Sequence, residues 1–177
     1  MPKSAVLAVA MLVACQGAPV SPPSSTNPAE RTSPTVSRDL LKNAEGSYGG
    51  PNLLWFMDPN KPFESDGEVQ VESESIRYTW SFKGEPQSGV MAFSFQEEGV
   101  EVEWTDTWHT PEPMQFRGEH RSEAIVVHGT YAAGEGPDWG WRIEIRTPGA
   151  DELLIEMFNI PPEGPEAIAV RMPARRS

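Results

Sequence analysis

The chain has 177 residues, with 26 acidic and 14 basic side chains and a formal charge of −12. That balance excludes a nucleic-acid surface, which needs clustered Lys and Arg to neutralise phosphates, and disfavours docking of the protein surface on anionic lipid. Cys15 is the only cysteine, so no intramolecular disulfide can staple the fold.

The chain opens with a short basic segment at residues 1–4, followed by an apolar run at residues 5–14. The run is far shorter than the roughly 20 residues needed to span a bilayer, so residues 1–14 read as a signal peptide. Leu12-Val13-Ala14-Cys15 resembles a bacterial lipobox. The resemblance implies cleavage before Cys15 and a diacylglyceryl group on its thiol, with two or three acyl chains as a durable membrane anchor. The bland alternative is ordinary secretory cleavage beside an incidental cysteine. Gln16 stands where an aspartate would imply inner-membrane retention, so the lipobox reading implies the outer membrane, facing the periplasm or the surface. Residues 15–37, rich in Pro, Ser and Thr, have almost nothing to bury and read as a disordered tether. The expected partner is thus the membrane, through the lipid.

Residues 38–177 suffice for one domain with its own core. They begin with a helical pattern at residues 38–45, in which Ser37 can cap, Leu40, Leu41 and Ala44 share a face, and Gly46 can terminate. Thereafter the period is two. Ile76, Tyr78, Trp80 and Phe82 alternate with polar residues, as do Val100, Val102 and Trp104, and then Trp139, Trp141, Ile143 and Ile145. Further strands are read at 53–57, 68–72, 90–95, 115–120, 124–131, 153–160 and 167–172. Turn signals separate them, among them Asp66-Gly67, Gly84-Glu85-Pro86, Glu98-Gly99 and Pro148-Gly149. About ten short strands joined by hairpins fit an all-β, antiparallel up-and-down barrel better than a sandwich, because no long crossover is needed and closure leaves no edge.

Three segments carry a family resemblance: Gly46-Ser-Tyr-Gly-Gly, Asp106-Thr-Trp-His109, and Gly136-Pro-Asp-Trp-Gly-Trp-Arg142. Together they resemble a bacterial domain family of unknown function with a lipocalin-like, calycin-type barrel, over residues 40–171. The resemblance implies the fold and an internal cavity, but no catalytic residues. The barrel is also similar in outline to the haem-binding nitrobindin group, which uses an axial histidine near the C-terminus. No histidine follows His128, and no Cys-x-x-Cys-His site exists, so no cofactor is expected.

Extending the parity of Val100, Val102 and Trp104 places Asp106 and Trp108 on the buried face, with His109 pointing away unless the strand bulges. A buried carboxylate needs a partner, and Arg77, Arg117, Arg121 and Arg142 are the candidates. A structural network at the barrel mouth is the plainer role for Asp106. Trp80, Trp139 and Trp141 belong to an aromatic set that either fills the core or lines a cavity, with Trp139 and Trp141 nearest an opening. Asn159 shares the parity of Leu153, Ile155 and Met157 and aims a polar group inward. The candidate ligand-binding set is therefore Trp80, Asp106, Trp108, His109, Trp139, Trp141 and Asn159. His109, His120 and His128 lack any metal-binding spacing, and His128 reads as solvated.

The expected activity is non-catalytic binding of a small apolar or amphipathic molecule at the cell envelope. The alternatives are a structural or interaction module with a filled barrel, and an enzyme centred on Asp106 and His109, for which no Ser or Cys nucleophile motif is present. An interior cavity of roughly 300 Å3 or more, lined by these aromatics, would favour the ligand.

Overall fold

The computed structural model describes residues 34–177, apart from residues 57, 122 and 133–135. The signal peptide, Cys15 and nearly all of the tether lie outside the described residues, as does the side chain of His120. The helix α1 (Pro34–Asn43) is followed by ten strands: β1 (Gly46–Leu54), β2 (Phe63–Glu72), β3 (Ser75–Phe82), β4 (Glu85–Phe95), β5 (Val100–Asp106), β6 (Thr110–His120), β7 (Ala124–Tyr131), β8 (Trp139–Gly149), β9 (Glu152–Ile160) and β10 (Ala167–Arg176). Each strand pairs antiparallel with its sequence neighbours, and β1 pairs with β10 to close the barrel. This is the up-and-down barrel expected from the alternation and the turn spacing.

Inward positions follow the parity read from sequence. Ile76, Tyr78 and Trp80 of β3, Val100, Val102 and Trp104 of β5, and Trp141, Ile143 and Ile145 of β8 are all buried. The link from β3 to β4 is the two-residue turn Lys83-Gly84, with positive φ at both (53° and 88°), the type I′ geometry whose twist matches the flanking strands.

Two expectations need correction. The helix begins at Pro34, not Arg38, and Ser37 is an interior helical residue rather than a cap: it is fully buried, and its Oγ has no hydrogen-bond partner. Proline is well suited to a first helical turn, since its missing N–H would be unpaired there in any case. The first strand occupies Gly46–Leu54, not residues 53–57. Its small and irregular residues hide the alternation, and only Tyr48, Asn52 and Leu54 are buried along it.

The two barrel ends are closed differently. Where β1 begins, α1 inserts Leu40, Leu41 and Ala44 into the aliphatic core. The Tyr48 hydroxyl donates to the Ala44 carbonyl at 2.7 Å. Arg176 at the end of β10 donates through Nη1 to the Glu45 carbonyl at 2.6 Å and through Nη2 to Tyr48 Oη at 2.8 Å, tying the last strand to the helix–β1 junction. The opposite end, where β1, β3, β5, β7 and β9 finish, is aromatic.

Candidate functional site

Every residue of the candidate set lies toward this aromatic end. Asp106 is the last residue of β5 and is 5% exposed. Its Oδ1 accepts the backbone N–H groups of Trp108 (2.8 Å) and His109 (3.2 Å), and so caps the turn that follows, as aspartate does when its short side chain substitutes for a backbone acceptor. That turn carries His109 back over the barrel, placing Nδ1 3.1 Å from the same oxygen. The pairing of β5 with β6 shifts register between Trp104 and Asp106. The irregularity that sequence parity held open is therefore present, and His109 faces the interior with its side chain 22% exposed. Its ring lies 5.1 Å from those of Trp104 and Trp141.

The other carboxylate oxygen, Oδ2, accepts the hydroxyl of Tyr78, which in turn accepts Trp104 Nε1–H at 2.8 Å. Burial, followed by the charge of Asp106, pushes the Tyr78 phenol well above its ordinary pKa, so it stays protonated and donates. The strand between them makes this reach possible. Tyr78 pairs with Gly89, and Gly89 with Asp106, so the three form one row across β3, β4 and β5. A Cβ on Gly89 would overlap the Tyr78 ring. Glycine inside a strand commonly marks such a close approach.

None of the expected arginines partners Asp106. Arg77 and Arg117 are exposed and pair with Glu72 (3.1 Å) and Glu101 (3.2 Å), because their parity is opposite to that of the inward residues. Arg121 follows β6 at the helix-covered end. Arg142 stacks on Phe158 at 3.8 Å and donates to Glu144 (2.6 Å) and in bidentate fashion to Glu166 (2.6 and 2.9 Å). This last contact fastens the β9–β10 connection. The hydrogen bond from Arg142 holds the Glu166 carboxyl below its ordinary value, and the bond to Glu166 raises the Arg142 guanidinium.

The tryptophans divide. Trp141 is buried and stacks on Trp104 with centroids 5.7 Å apart, and its Nε1–H has no partner. It belongs to the core rather than to an opening. Trp139 is half-buried, edge-on to Tyr131 at 6.5 Å. Asn159, also half-buried, accepts the Tyr131 hydroxyl at 2.6 Å. Trp108 and Trp80 join an aromatic cover that sequence reading did not assemble. Phe82 lies 4.7 Å from Trp108, 5.1 Å from Phe63 and 5.3 Å from Phe56, while Trp80 lies 5.5 Å from Trp108. Phe56, at 41%, is the exposed large hydrophobic among the described residues. The sequence placed it inside a strand over residues 53–57, whereas β1 ends at Leu54 and Phe56 lies in the segment beyond it.

Beneath this cover the barrel is filled. The internal void bordered by Asn52, Trp80, Trp104, Asp106 and His109 measures about 10 Å3, room for roughly one water, and far below the 300 Å3 set as the mark of a ligand cavity. Chemically, the His109 ring and the Asp106 carboxylate are in hydrogen-bond contact, but no serine, threonine or cysteine side chain borders the void. His128 is exposed on β7, and among the described residues no group of three or more His, Cys, Asp or Glu side chains is arranged to hold a metal.

Fold and site together define an antiparallel up-and-down barrel with one helix-covered end and one aromatic, polar-lined end. Residues 33–176 match the family model described as a protein of unknown function, DUF1579, and the chain belongs to that family. No match is found among the curated proteins.

Proposed function

We propose that this is a lipid-anchored envelope protein whose barrel binds a small amphipathic molecule, without catalysis, at its aromatic end. The observation that carries the reading is the cover itself: rings from β2, β3, the segment after β1 and the β5–β6 turn meet edge to face, with Phe56 left partly in water. Edge-to-face rings contribute about 0.5–1.5 kcal/mol per pair beyond burial, a modest amount that an apolar chain inserted among them can replace. The chain enters the barrel at the helix-covered end, opposite this one. Anchoring rests on the lipobox resemblance of residues 12–15, with Cys15 as the acylated residue.

A filled barrel that acts only as a structural or interaction module is the second reading, favoured by the 10 Å3 interior. Native mass spectrometry of the full chain separates the two. An adduct of a few hundred daltons, on the order expected for a drug-sized pocket ligand, lost in a Phe56→Ala/Phe82→Ala variant, is the expected result; a bare chain leaves the module reading. Anchoring is checked separately. Cys15→Ser is expected to move the protein out of the membrane fraction, and retention there without fatty-acid labelling of the native chain would refute it.

A further inference from the structure

Asn52 projects from the middle of β1 into the barrel and is 1% exposed, yet neither its Nδ2 nor its Oδ1 has a hydrogen-bond partner. Its cross-strand neighbour on β2, Ser65, also carries a buried Oγ with no partner. A buried amide with neither bond made lowers stability, and the site could have been filled by an isosteric leucine. Asn52 borders the void shared with Trp80, Trp104, Asp106 and His109, and Trp80 touches Trp108 of the aromatic cover. The unpaired amide therefore faces a space the size of one oxygen, directly under the rings.

We infer that Asn52 is the polar seat of the binding site, and that it holds the terminal hydroxyl of an amphipathic ligand. This rests on the binding reading above and adds the chemistry of the head group. A hydroxyl both donates and accepts, so it can satisfy Oδ1 and Nδ2 together. An anion placed there would face the Asp106 carboxylate without a buried cation to balance it. A cation would meet a carboxylate already engaged by the Tyr78 hydroxyl, two backbone amides and His109, and would be left desolvated with Asn52 Oδ1 alone. The neutral head group is the one that the existing bonds leave room for. Its alkyl chain leaves past Trp80 and replaces ring contacts among Phe56, Phe82 and Trp108.

The test uses the full chain and three probes of equal length, dodecan-1-ol, dodecanoate and dodecylammonium, titrated against tryptophan emission, since Trp80 and Trp104 border the seat. The alcohol is expected to bind at least about tenfold more tightly than either ion, and Asn52→Leu to weaken the alcohol by about tenfold while leaving the ions little changed. The probe series on the native chain decides the matter even if Asn52→Leu folds poorly. Equal binding of all three by the native chain, or an alcohol preference that survives in Asn52→Leu, overturns the hydroxyl seat and leaves the binding reading standing. If none of the three binds, both fall.

Discussion

Where β1 begins, Leu40, Leu41 and Ala44 of α1 share one buried cluster with aliphatic residues such as Val71 and Ile125; where β1 finishes, phenyl and indole rings meet over a carboxylate, an imidazole and an unpaired amide. Both ends exclude water, but by different means. Aliphatic packing under a helix has one well-filled arrangement and is lost only by unfolding. Aromatic edges over polar groups can be exchanged for other apolar contacts at modest cost, and the buried polar atoms there are not all satisfied. The helical end has one such atom too, Ser37 Oγ, but Asn52, Ser65 and Trp141 carry four toward the aromatic end, and departures from full polar satisfaction concentrate where a protein does something other than fold.

The contrast can be broken most sharply at the helix. Leu41→Ala, at a fully buried position, is expected to cost about 2–5 kcal/mol in urea melts, against a smaller loss of about 1–2 kcal/mol for Phe56→Ala at the partly exposed rim. Equal losses would mean that the aromatic end is as rigidly packed as the helical one. Next in size is Gly89→Ala. The added methyl displaces the Tyr78 ring from Asp106, and the expected cost is about 1–3 kcal/mol, with a changed emission from Trp104 as its hydrogen-bond acceptor moves. An unchanged spectrum would show that the row Tyr78–Gly89–Asp106 is not what fixes this end.

Ser37→Ala should instead raise stability, by up to about 1 kcal/mol, because it removes a buried hydroxyl without a partner. A loss of similar size would restore Ser37 as a helix cap. The smallest effect is pH-dependent. Glu166 is held below its ordinary value of 4.5 by Arg142, so its contribution is fully present above that value and is lost as pH falls through the lower folded value. Because its side chain is 36% exposed, the contribution is at most about 1 kcal/mol. The urea midpoint difference between the native chain and Glu166→Gln should therefore shrink on going from about pH 6 to about pH 3. A constant difference would remove the ion pair from the account of this end.

Alternation and turn chemistry made most of the barrel legible, because Ile76 to Phe82, Val100 to Trp104 and Trp139 to Ile145 each declare one buried face. The first strand was obscured because Gly49, Gly50 and Pro51 carry no face to alternate. At the site, parity correctly turned Asp106 inward, but the choice of an arginine partner assumed that a carboxylate must meet a cation. The real donors are a tyrosine two strands away and the backbone of its own turn. Gly89 was the available signal, a glycine flanking a strand whose extent had been read only from residue 90. Phe56 was read inside a strand over residues 53–57 and so was not joined to the cover, while Asn52 was hidden amid the irregular centre of β1.

The clamp made by Arg176 has a bearing on how the chain comes to be folded. Nine of the ten strand pairings in the ring join sequence neighbours and can zip as local hairpins, while the tenth joins β1 to β10. Arg176 donates to the Glu45 carbonyl and the Tyr48 hydroxyl across 131 and 128 positions of chain. Closing so long a loop carries the largest entropic cost of the ten pairings. The paired residues at this seam flank Pro51 and Pro173, which have no N–H to lend to the ladder. The guanidinium thus acts as the fastener of a sheet that, with β1 and β10 unpaired, would carry two open edges able to recruit other chains.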